Sequence, residues 1–228
     1  MNINELSEYY KSELQKRIPT FEVSTQIDNS VIVIECIEDK GELRNYLIFD
    51  FWKTKGSLHN FDSGISVVDI EKLIMPLLVE FKYIGKIALK NKYHNTIKSD
   101  IEKENFNPNF LDSFSVSSEI GATKQISTMM NYINKVAIPF YEKMENPQSF
   151  FNEILNLDNN ELSKRLNPIG AIQRKMIIQY QVDKEIYKEE YKKYVNEYLA
   201  YYKDGMDEEV KNFLNLTKKL NTTLIENG

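Results

Sequence analysis

The side chains best suited to metal or nucleophilic chemistry are few: two histidines, His59 and His94, and one cysteine, Cys36. A zinc site needs three or four convergent ligands. The stretch "HNFD" offers His59 and Asp62 together, and nothing marks a third ligand. Cys36 sits in the apolar run "VIVIECIE", the setting of an inert core thiol, and no histidine can be paired with it. Metal-dependent nucleases place acidic residues on a sheet, with a lysine close behind an acid. Glu38-Asp39-Lys40 has that order but falls at a turn, which leaves Asp28, Glu35 and Asp50 as the set such an enzyme would use. Gly41, Gly56, Gly64 and Gly85 are isolated, so there is no phosphate-cradling loop. No serine stands in a Gly-x-Ser-x-Gly elbow. The reading is that the chain has no catalytic residue, no metal site and no cofactor.

The elements that must carry these residues follow from period and punctuation. Residues 3 to 17 place Ile3, Leu6, Tyr10 and Leu14 on one helical side, and Pro19 ends that helix. The period then falls to two. "FEVSTQI" (21–27), "VIVIECIE" (31–38) and "RNYLIFDFW" (44–52) predict three strands of a β-meander, the last two joined by a tight turn at Lys40-Gly41. "GSLHNFDSG" reads as a loop. Residues 66 to 81 form an amphipathic helix, with Ser66 as cap and Pro76 as a kink or break. "NTIKSDI" and 110 to 118 are further strand candidates. Helices are expected over 121–144, 147–157, 168–203 and 207–225. The fold class is therefore α+β: an antiparallel meander sheet with packed helices, then a helical C-terminal region ending in an αα-hairpin. The composition shift near Gly121 separates residues 1–120, the half with the sheet, from 121–228, the helical half.

With Lys40-Gly41 as the turn, Ile34 faces Leu47 and Ile32 faces Phe49. Ile32, Ile34, Cys36, Leu47, Phe49 and Phe51 then make an apolar core face. The opposite face carries Val31, Val33, Glu35, Tyr46, Ile48, Asp50 and Trp52, which is aromatic and acidic at once. Either the helix at 66–81 covers it or a partner does. As a partner surface it would centre on Trp52, with Tyr46, Glu35 and Asp50 around it, extended by His59 and Phe61 from the following loop. Tryptophan and tyrosine dominate binding energy at interfaces, and carboxylates steer a basic partner.

"YKEEYKKYVNEYLAYYKDG" sets tyrosines at 187, 191, 194, 198, 201 and 202, the spacing of one helical face. This stripe is expected to be buried against Phe213, Leu214 and the helix around Ile133 to Phe140, with charged residues on the opposite side.

The bulk numbers exclude whole classes. The 228 residues are 42% hydrophobic and 28% charged, an ordinary globular mixture. A net charge of -5 argues against nucleic acid as the main partner. The start "MNINELSEYYKSELQKR" has no apolar core for a signal peptide, and no apolar run approaches the roughly 20 residues of a membrane span. One cysteine fits a reducing, cytoplasmic setting.

The order helix, meander, helix, strand and long helix, running into "IPFYEKMENPQSFFNEIL" (Ile138 to Leu155), resembles a group of small bacterial domains, some encoded beside polymorphic toxins as immunity proteins. The resemblance covers about the first two-thirds of the chain and rests on packing residues. It implies an acidic, non-enzymatic protein that binds another protein, such as a basic toxin domain. The alternatives are a degenerate metal-dependent nuclease and a structural subunit that oligomerises through its C-terminal helices.

Overall fold

The computed structural model describes residues 1–53, 56–90, 96–99, 119–145, 147–201, 205 and 207–227. The fold is α+β, and the chain forms two compact units: residues 1–66 with 97–145, and residues 67–96 with 146–228. The division thus falls elsewhere than the composition shift near Gly121. It assigns the long helix after that glycine to the unit that holds the sheet.

The first unit opens with α1 (Ile3–Arg17). Asn2 accepts the Glu5 N–H and the Glu5 carboxylate accepts the Asn2 N–H, so two otherwise orphaned amide donors are satisfied. Leu6, Tyr10 and Leu14 form its buried face. β1 (Glu22–Asp28), β2 (Val31–Asp39), β3 (Leu43–Trp52), β4 (Ser57–Val67) and β5 (Ile97–Lys98) follow as an antiparallel sheet in sequence order. The expected strand at 110–118 lies outside the described residues.

The register differs from the sequence expectation by two. Ile34 pairs with Phe49, Ile32 with Phe51 and Cys36 with Leu47. The turn takes four residues, closed by the Lys40 N–H on the Leu43 carbonyl at 2.9 Å, with Gly41 at φ 85°. A two-residue slip keeps every side chain on its face, so the core face is unchanged. Tyr10 of α1 meets Phe51 edge-on at 5.7 Å. From the following helices, Tyr132 meets Phe49 and Phe61 at 6.0 and 5.2 Å.

The stretch "GSLHNFDSG" is strand β4 rather than loop. Leu58 and Phe61 are both buried while His59 and Asn60 are exposed, which breaks the two-residue alternation that marks a strand in sequence. Downstream, α3 (Glu119–Tyr132) runs without interruption through a π-turn (Ile133–Ala137) into α4 (Ile138–Met144). Pro139 cannot donate to the turn before it. The wider turn accommodates it: the Ile138 N–H reaches the Ile133 carbonyl, five residues back.

The second unit is helical: α2 (Val68–Glu80), α5 (Pro147–Leu155), α6 (Asn159–Arg165), α7 (Ala171–Val182), α8 (Lys184–Tyr201) and α9 (Glu208–Asn227). Pro76 sits inside α2 without ending it, on an exposed side where water can serve the carbonyl it leaves unbonded. Ser66 does not cap α2. The Val67 N–H is instead taken by the Thr96 hydroxyl at 2.8 Å. The single helix expected over 168–203 breaks at Asp183, whose carboxylate caps α8 by accepting the Glu185 and Ile186 N–H groups. Asp207 caps α9 in the same way through Val210.

The tyrosine stripe is only partly buried. Tyr187 is enclosed and donates to Asn221 at 2.9 Å, whereas Tyr191, Tyr194 and Tyr198 are half-buried. Phe213 of α9 stacks on Tyr198 at 5.2 Å, as the spacing implies. Ile133 to Phe140, the other expected contact, belongs to the first unit.

Candidate functional site

The pairing of β1, β2 and β3 fixes the outer sheet face row by row. Asp28, Val31 and Trp52 lie side by side; then Gln26, Val33 and Asp50; then Ser24, Glu35 and Ile48; then Glu22, Ile37 and Tyr46. The four rows hold four carboxylates and no lysine or arginine. Glu35 and Asp50 are diagonal neighbours on adjacent strands, about 7–8 Å apart by ordinary sheet spacing. The bases on the same face at its borders are engaged: Arg44 with Asp39 at 3.0 Å and Lys98 with Asp62 at 3.2 Å.

The face closes at one end and opens at the other. Tyr46 is fully buried. Its ring reaches across Gly64 of β4, and its carbonyl accepts the Tyr141 hydroxyl at 2.6 Å. Along the rows, Val31, Val33, Glu35, Ile48 and Asp50 are half-buried, and Trp52 at the far end is 38% exposed. His59 lies against it, ring centres 5.0 Å apart. The irregularity in β4 brings His59 to the open face while Phe61 turns into the core against Phe49 and Tyr132. Of the six residues assigned to a partner surface from sequence, Trp52, His59, Asp50 and Glu35 are therefore reachable from outside. Tyr46 and Phe61 are core residues.

The candidates for chemistry are placed as follows. Asp28, Glu35 and Asp50 share the outer face, yet among the described residues no three acids, histidines or cysteines come close enough to hold a metal ion. His94 lies outside the described residues. The charged turn is occupied by structural pairs. Asp39 accepts the Gly41 N–H and pairs with Arg44, which hold its carboxyl below the usual range. Lys40 donates to Glu145 at 2.6 Å, which raises its ammonium pKa. Cys36 is buried, and desolvation, helped by the neighbouring Glu35, pushes its thiol pKa up and keeps it a poor nucleophile.

Sequence reasoning missed two buried polar clusters. In the first unit the Ser63 hydroxyl meets those of Ser99 and Tyr132 at 2.6 and 2.7 Å. Burial pushes the Tyr132 phenol up to about 12. These three hydroxyls bond one another and include no base to activate them. In the second unit Arg174 grips Glu71, and Thr96 donates to the same carboxylate at 2.7 Å. Signals existed: Glu71 and Arg174 each interrupt an apolar helical face.

No protein family, curated protein or solved structure matches this chain. Among the described residues no helix is long and apolar enough to cross a membrane.

Proposed function

We propose that the protein is a non-enzymatic binding module whose outer sheet face docks a basic protein partner in the cytoplasm. The observation that supports it is the open end of that face: a solvent-exposed tryptophan backed by His59, beside rows that carry four carboxylates and no base. An exposed tryptophan at the open end of a half-covered face is the kind of anchor that dominates interface energy. The carboxylates supply the long-range attraction that speeds association with a positively charged surface. The resemblance of Ile138 to Leu155 to domains encoded beside toxins suggests a basic toxin domain as the partner class. The lone buried thiol suits a reducing compartment.

The test uses the protein's single tryptophan, Trp52, as its own reporter. Each basic protein encoded beside this gene is purified and titrated while Trp52 emission is followed. Docking on this face shifts the emission to the blue. Trp52→Ala, followed by calorimetry, should weaken binding by about 2 kcal/mol or more while leaving thermal stability close to the parent. Asp50→Lys should slow association chiefly at low salt. Binding that survives both substitutions unchanged would place the partner elsewhere.

A further inference from the structure

The second unit carries a cleft of about 530 Å³ between α7 and α8, within the size range of small-molecule sites, roughly 300–1,000 Å³. Leu162, Ile172 and Met176 make one wall apolar, and Tyr191, Tyr194 and Tyr198 make the other aromatic. Gln179 also lines it. That residue is only 8% exposed, and among the described residues its carboxamide has no hydrogen-bond partner. Its amide opens onto the cleft, where a bound ligand can pair with it.

The charged groups around the cleft are Glu190 and Glu197 on α8, Lys193 between them, and Lys175 on α7. Lys175 is spent on the Leu157 carbonyl at 3.1 Å. Glu190, Lys193 and Glu197 are exposed. The sequence repeats Glu-Tyr at 190–191 and 197–198, so each carboxylate accompanies a tyrosine. Seven residues of helix set the two acids about 10.5 Å apart along the axis, with the Tyr194 ring between them. A tyrosine face attracts a cation, and nearby the Lys184 ammonium lies 5.0 Å from the centre of the Tyr180 ring.

We infer that this cleft binds a linear aliphatic polyamine. One ammonium sits at Glu190 and the other at Glu197. The methylene chain lies between the tyrosine rings and the Ile172–Met176 wall, and the Gln179 carboxamide oxygen accepts from an N–H of the chain. A carboxylate ligand would face both glutamates. A wholly apolar one would leave Gln179 unpaired. Lys193 opposes the ligand and sets its affinity low. The site is independent of the Trp52 face and uses none of its residues.

Spermidine titrated into the full chain by calorimetry at low salt tests this. One binding event is expected, much weaker for butylamine, which has a single ammonium. Glu190→Gln and Glu197→Gln, both at exposed positions, should each weaken spermidine by roughly fivefold. Tyr191→Leu should weaken it by a similar factor through loss of the ring face. Lys193→Gln should tighten it roughly threefold, an outcome that a merely structural role for the acidic pair would not produce. Thermal unfolding of each variant establishes that it is folded. No binding at about 1 mM spermidine, equal affinity for butylamine, or folded glutamine variants that bind as the parent does would each overturn the assignment.

Discussion

Arg174 holds Glu71 through two parallel hydrogen bonds, Nε to Oε1 at 2.8 Å and Nη2 to Oε2 at 2.7 Å, and its side chain is fully buried. Its remaining nitrogen donates to the Ile169 carbonyl. A buried pair stands only if further hydrogen bonds serve the remaining donors, and here Met75 of α2 and the Ile169 carbonyl before α7 add to the Glu71 carboxylate. Glu71→Ala would leave the guanidinium without its counter-charge and should cost about 3–5 kcal/mol. The double variant Glu71→Leu, Arg174→Met removes both charges and should recover most of that loss. Urea unfolding of the two proteins measures it. Equal destabilisation by both would show that shape, not charge pairing, is what the site requires.

Gly64 on β4 makes a second close fit. A Cβ there would run into the Tyr46 hydroxyl and the Ile97 carbonyl. Gly64→Ala should therefore destabilise by about 3 kcal/mol or more, at the upper end of overpacking costs. Adding Tyr46→Phe removes the hydroxyl but not the backbone carbonyl, so only part of the loss should return. Full recovery in thermal melts would mean that β5 can move away from Gly64.

These two contacts mark where the sequence stopped being legible. Alternation in "VIVIECIE" and "RNYLIFDFW" was enough to assign the core face, and even a misjudged turn left it intact because the slip was two residues. β4 was hidden because its polar residues and its double outward step at His59-Asn60 erase the period. Tyr46 looked exposed by parity, but the adjacent strand β4 has a glycine where its ring lies. Glu71 and Arg174 stand 103 positions apart, and nothing local tells either that the other is waiting. Asp183 was readable in principle as a cap, yet the helical period continues across it and masks the break. The open end at Trp52 was the part of the candidate site that strand pairing alone could place.

The tyrosines of α8 should separate by burial. Tyr187 is 1% exposed and its hydroxyl is bonded to Asn221, so Tyr187→Ala should cost about 3–5 kcal/mol. Tyr194 is half-buried, with Tyr198 at 5.1 Å and Phe213 at 6.2 Å, and its loss should cost less, about 1–2 kcal/mol. Chemical denaturation of both variants checks the order. A Tyr194→Ala protein as damaged as Tyr187→Ala would mean that the stripe is uniformly buried and the cleft closed.

Alkaline pH gives a test of burial across both units. Tyr10, Tyr132, Tyr141 and Tyr187 are all raised above the ordinary value of 10, chiefly by desolvation. Cys36 is raised from 9 by the same cause. In each case the folded state keeps a proton that the unfolded chain gives up. The stability this confers is complete below the unfolded pKa and is lost as pH rises toward the folded one. Tyr132 alone, moved from 10 to about 12, accounts for about 3 kcal/mol over that interval. Unfolding free energy should thus be flat to about pH 9 and fall steeply above about pH 10. Tyr132→Phe, which cannot ionise, should show a shallower decline, and tyrosinate absorbance from the buried set should appear only as the protein unfolds. A full tyrosinate signal near pH 10 from protein that is still folded would contradict the enclosure of these rings.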